Sequence, residues 1–158
     1  MQGNTWPTDM DWAAAEFDAA CGHGALAAAL GIQVSMVMKH FGNEGGWVNI
    51  PKMKAAIVDI RGKKPTGYGA CWPTCEHRYV SILNFIGPWS HHIMGQASHR
   101  HWVAGLWDEK RNETQVWDAN YQEWLTFADW KEKIMDPMCV RIKNCRGWSI
   151  AGSYSAWI

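Results

Sequence analysis

Nothing in this 158-residue sequence stays apolar long enough to cross a bilayer, which takes about 20 consecutive residues as a helix. Net charge is absent too: 15 Lys and Arg balance 15 Asp and Glu, removing the positive footprint of a protein that grips phosphate backbones. The opening MQGNTWPTDMDW holds no basic side chain, so the Ala-rich stretch behind it lacks the charged head of an export signal, and a cytoplasmic location is expected. Five cysteines, an odd number without such a signal, argue for free thiols over a disulfide framework. There is no internal repeat and no low-complexity tract. These absences leave a single globular domain over residues 1–158, with neither nucleic acid nor membrane expected as a partner.

What the sequence has in excess is tryptophan, twelve in all, more than a core of this size needs. A large apolar face with a polar N–H suits the wall of a cleft or an interface. From Met10 to Phe41 the chain is rich in Ala, Leu and Met at three- and four-residue spacing, a buried helix with its strongest part starting near Cys21 and a break possible at Gly31. Asn49 to Asp59 reads as a second amphipathic helix with Pro51 in its first turn. Tyr79 to Phe85 reads as a strand, and His101 to Trp107 with Thr114 to Asp118 as a hairpin. Trp124 to Ile134 reads as a short helix, with strand pattern after it. Helices first and strands afterwards predict an α+β domain.

A hairpin turn centred between Glu109 and Lys110 pairs residue 101 with residue 118 and Val103 with Val116. His101 and Asp118 then face each other with Cβ atoms about 4.5–5.5 Å apart, so that the carboxylate accepts the imidazole N–H and fixes its tautomer. Cys21 at a helix N-terminus feels the positive end of the helix dipole, which favours the thiolate, the attacking form. Gly22 beside it leaves room for a substrate carbonyl to approach the Cys21 backbone N–H. Taken singly, each residue has an ordinary reading: Cys21 as a small buried side chain, His101 as a strand-end histidine bonded to a carbonyl, Asp118 as the opening of a turn over Asp118-Ala119-Asn120.

Cys21-Gly22-x-Gly24-Ala25-Leu26-Ala27 opening a buried helix, followed by His101-Trp102-Val103-Ala104 and then Asp118, resembles the papain-like cysteine peptidases. Among them it is most similar to the type that processes bacteriocin leaders of the double-glycine kind. The resemblance covers residues 15 to 120. It implies a nucleophile helix packed on an antiparallel sheet, with Cys21 as nucleophile, His101 as general base and acid, and Asp118 as orienter. One departure stands out. Papain-like enzymes place a Gln a few residues before the nucleophile as an oxyanion donor, and this chain has Ala15, Glu16, Phe17 and Asp18 there. Asp18-x-x-Cys21 is similar instead to the ovarian-tumour-type deubiquitinases, in which loop backbone helps form the hole; Gln2, Asn4 and Gln96 are further candidate donors.

The expected activity is a cysteine hydrolase, a thiol protease or isopeptidase acting on a peptide or protein substrate. Acyl transfer, transglutamination or deamidation by the same triad is the first alternative. A non-catalytic papain-like binding or inhibitor protein of phage or mobile-element origin, suggested by the missing Gln, is the second. Trp102 and Trp89, close to the base in sequence, are expected beside a substrate groove, and His91, His92 and His99 in an exposed polar loop. Cys71-x-x-x-Cys75-x-His77 and the widely spaced Cys139 and Cys145 do not make the tight paired knuckles of a structural zinc site, so neither metal nor cofactor is expected.

Overall fold

The computed structural model describes residues 6–18, 20–74, 78–87 and 99–156. Four helices come first: α1 (Met10–Phe17), α2 (Cys21–Leu30), α3 (Val34–Met38) and α4 (Ile50–Arg61). The strands follow as β1 (Arg78–Ile86), β2 (His99–Asp108), β3 (Glu113–Trp117), β4 (Trp124–Thr126) and β5 (Gly147–Ser155). They form one antiparallel sheet in the order β4-β3-β2-β1-β5. Between β4 and β5 lie α5 (Phe127–Trp130), a π-helical turn (Lys131–Met135) and α6 (Asp136–Arg141). The α+β class expected from the order of patterns is what the chain adopts.

Local chemistry sets the boundaries. α1 ends where Asp18 takes a left-handed conformation, φ 51°, and α2 ends at Gly31, φ 67°. The helix start near Cys21 and the break at Gly31 read from the Ala-rich run are both present, and Asp18 divides the run further. Asp9 ties two of them together, its carboxylate accepting from the backbone N–H groups of Val34 and Ser35 at 2.8 and 3.0 Å. α4 follows its sequence signals: the Asn49 side chain accepts from Lys52 N–H at 2.8 Å, Pro51 sits in the first turn, and Gly62 closes the helix at φ 71°.

Two expectations need correction. Trp124 to Ile134 begins as strand, because Trp124 and Leu125 pair with Trp117 and Val116; helix starts only at Phe127, where the Thr126 hydroxyl caps Asp129 N–H. The hairpin register also differs. Asp108 pairs with Glu113 and Ala104 with Trp117, so the turn is centred between Lys110 and Arg111, one residue later than expected. The Asp108 carboxylate accepts from both Lys110 and Arg111 N–H groups, which widens the turn, and Asn112 takes φ 51°. His101 and Asp118 are thus not directly opposed in the ladder. The two-residue slip in pairing preserves the face on which each side chain lies.

The sheet is buried on both sides. Val80, Ile82, Trp102, Ala104 and Trp117 face α2 and the other N-terminal helices. Leu83, Phe85, Val103, Val116 and Leu125 face Trp130, Ile134 and Met135 of the C-terminal helical segment. The β2–β3 ladder begins only at Ala104, so the first half of β2 has no β3 partner beside it. That notch at the edge of β2 is where the candidate site lies.

Candidate active site

Cys21 is the first residue of α2, preceded by Ala20 in extended conformation with no side-chain cap. The first N–H groups of a helix have no partner within it and point out of its end, next to the sulfur. Across the notch, Trp102 N–H, which has no β3 carbonyl to bond, donates to Cys21 Sγ at 3.3 Å. His101 lies near enough to the thiol for its charge and hydrogen-bonding capacity to act on the sulfur. His101 Nε2 is 2.9 Å from Asp118 Oδ2, which leaves Nδ1 as the nitrogen free for sulfur. His101 is 7% exposed and Asp118 0%, while Cys21 keeps partial access to solvent. The three residues named from the sequence therefore come together.

Burial alone would neutralise all three groups, and their mutual interactions reverse each effect. Burial pushes the Cys21 thiol up, but the His101 hydrogen bond and charge, with the Trp102 N–H, leave it below the ordinary thiol value. Burial pushes His101 down, yet the neighbouring Asp118 carboxylate and the Cys21 sulfur raise it to about 10. Asp118 is pushed up by burial and brought down further by the charge and hydrogen bond of His101. Every net direction favours a thiolate beside an imidazolium, which is the ready form of a cysteine nucleophile.

Asp118 holds its place through a full set of donors. Oδ1 accepts from the Asn120 backbone N–H at 2.9 Å and its side-chain amide at 3.1 Å. Oδ2 accepts from His101 and from the Trp130 indole N–H at 3.0 Å. The Asp118 carbonyl accepts from Tyr121 and Gln122 N–H groups, so Asp118 opens a turn and orients the histidine at once. The Asp118-Ala119-Asn120 turn signal in the sequence points to Asn120. Nothing local in the sequence points to Trp130.

The remaining site assignments fare differently. Trp102 is 0% exposed, with its indole N–H donating to Val48 carbonyl at 2.7 Å, so the expected groove residue is a core residue whose contribution is its backbone N–H. Gly22 is also buried, and a Cβ there would meet Val48 at 2.7 Å and Trp102 at 3.2 Å. Its small size serves the packing of α2 against that segment. Asp18 caps α1 and accepts from Gly46 N–H. Trp89, Gln2, Asn4, Gln96, Cys75, His77, His91 and His92 lie outside the described residues, as does the side chain of His99. Among the described residues no group of three or more His, Cys, Asp or Glu is placed to hold a metal.

Two residues on from the nucleophile, His23 is buried, its Nε2 2.9 Å from the Glu44 carbonyl. Burial holds it below the ordinary imidazole value, so it is a neutral strut between α2 and the segment before α4. No family model and no curated protein matches the chain.

Proposed function

We propose that the chain is a cysteine hydrolase of papain-like fold that cleaves an amide bond in a peptide or protein. The observation that carries this reading is the contact series from the Cys21 thiol through the His101 imidazole to the Asp118 carboxylate, the last link being 2.9 Å. The order of helix-borne nucleophile and sheet-borne base, with the α+β class, supports the papain-like assignment.

In the proposed reaction the Cys21 sulfur attacks the substrate carbonyl carbon, and the carbonyl electrons move to oxygen. The N-terminus of α2, with Cys21 N–H foremost, faces the place where that negative charge develops, a role suited to preorganised backbone donors. His101 then gives its proton to the leaving amine as the C–N bond breaks, leaving a thioester on Cys21. Water, deprotonated by the now neutral His101, attacks the thioester and releases the acid and the thiol. Asp118 remains ionised throughout and keeps the imidazole aligned.

The test is acyl-enzyme trapping. Incubation with activated acyl esters and a peptide-amide library, followed by intact mass measurement, is expected to give a hydroxylamine-labile adduct on Cys21 and amide cleavage. Cys21→Ala and His101→Ala are each expected to lose at least about 10³-fold in rate. Undiminished cleavage by Cys21→Ala would sink the mechanism. Labelling of Cys21 by a neutral electrophile no faster than that of exposed Cys71 would favour a binding role over catalysis.

A further inference from the structure

The orienting carboxylate has more support than a triad requires, and the extra support comes from the layer on the far side of the sheet. Asp118 is wholly buried, and an ionised carboxylate offers about four acceptor positions. All four are used: two by Asn120, one by His101 and one by the Trp130 indole. Oδ2 is the oxygen that faces the base, and among the described residues its other donor is Trp130. An indole N–H donates and does not accept or titrate, so it favours the ionised carboxylate over the acid and cannot compete for the proton that His101 handles.

Trp130 is itself fixed. It is 0% exposed, and its ring packs against Trp148 at 5.3 Å and 77°, Trp72 at 5.6 Å and Phe127 at 5.8 Å between centroids. It is the last residue of α5, directly before the π-helical turn, a local geometry that concentrates at functional sites. If the indole were only core packing, its N–H would need some other partner or stay orphaned, and a buried polar group without one is costly.

We infer that Trp130 is a positioning residue for the base, holding Asp118 Oδ2 in line with His101 so that four residues, Cys21, His101, Asp118 and Trp130, act as one aligned series. The inference rests on the proposed hydrolase reading, but its test needs no substrate. Without the indole donor, Oδ2 keeps His101 as its one partner among the described residues, and the carboxylate is held in place only through the two Asn120 bonds to Oδ1. The thiolate and imidazolium then lose part of the alignment that stabilises them together.

The experiment measures the rate of Cys21 alkylation by iodoacetamide as a function of pH in the full chain, reading the Cys21 peptide by mass spectrometry. In the wild type the acid limb is expected below the ordinary thiol range. In Trp130→Phe it is expected to move up by about one pH unit, about a tenfold slower reaction on the limb, the scale of a hydrogen bond to a charged group. Replacement of Trp130 by 3-benzothienylalanine, which keeps the ring shape and loses the N–H, is expected to move it equally and covers the case in which the phenylalanine variant fails to fold. Trp148→Phe, which alters the same aromatic cluster without touching Asp118, is expected to leave the limb in place while lowering the melting temperature. An acid limb that stays put or moves down in both Trp130 replacements, or moves as far in Trp148→Phe, overturns the positioning role. A wild-type limb in the ordinary thiol range overturns the hydrolase reading together with it.

Discussion

The charged groups of the site carry a pH dependence whose sign follows from their shifts. His101 is raised to about 10, so its stabilising contribution is complete below the ordinary imidazole value of 6.5 and is lost as pH rises through about 10. Asp118 is lowered, so its contribution is complete above 3.8 and is lost as pH falls through its depressed value. Thermal melts are therefore expected to plateau between the two ordinary values and fall on either side. Asp118→Asn should flatten both flanks, because the amide neither titrates nor holds the imidazolium; an unchanged profile in that variant would refute the coupling. Activity on an acyl substrate should rise as Cys21 ionises below the ordinary thiol value of 9.0 and fall again as His101 loses its proton near 10. At this scale the sequence was readable where chemistry is written in residue type: a thiol at a helix start, a histidine and a carboxylate across a hairpin. Trp130 was not, because its bond to Asp118 depends on how α5 and the π turn are placed on the sheet.

Among the elements, the segment before α4 determines where the nucleophile sits. Gly45 lies so close to α1 that a Cβ would fall 1.4 Å from the Phe17 carbonyl oxygen, and Gly46 N–H donates to the Asp18 carbonyl. Phe17 and Asp18 lead straight to Ala20 and Cys21, so this backbone contact fixes the approach to α2. Gly45→Ala cannot be relieved by a side-chain rotation, since the obstacle is backbone. The expected cost is about 3 kcal/mol in urea unfolding, with slower Cys21 alkylation, against no effect on Cys71 labelling in the folded state. A loss well under 1 kcal/mol would show that the two segments separate freely. The hairpin teaches the complementary lesson. Its strands were evident from alternation, but its register turned on the Asp108 side chain accepting two backbone N–H groups, which moved the turn centre by one residue. Pairing then stops at Trp117, and the missing rung is what lets Trp102 N–H reach Cys21 Sγ.

The whole molecule is a sheet held between two helical layers, and the site draws on all three. Cys21 comes from the N-terminal layer, His101 and Asp118 from the sheet and the turn leaving it, and Trp130 from the C-terminal layer. The β-rich runs announced strands, yet which helices cover which face of the sheet was beyond periodicity. The short C-terminal elements, α5, the π turn and α6, are too brief to show a clear helical stripe. Because the sheet is shared, loss of packing on the C-terminal side should be felt at a nucleophile on the opposite side. Met135 tests this: it is 0% exposed and belongs to the same buried cluster as Leu83, Val103 and Trp130. Met135→Ala leaves a cavity beneath the sheet and is expected to cost about 2–5 kcal/mol. If the layers unfold as one unit, tryptophan fluorescence and the enhanced alkylation of Cys21 over Cys71 should be lost at the same, lowered urea midpoint. Should the C-terminal layer melt on its own, fluorescence would change first while Cys21 keeps its enhanced reactivity, and the alignment of Asp118 would then depend on a locally unstable element. Coincident transitions in both Met135→Ala and the parent are the expected result, because the β1–β2 pairing that carries His101 also supplies Leu83 and Val103 to the second core.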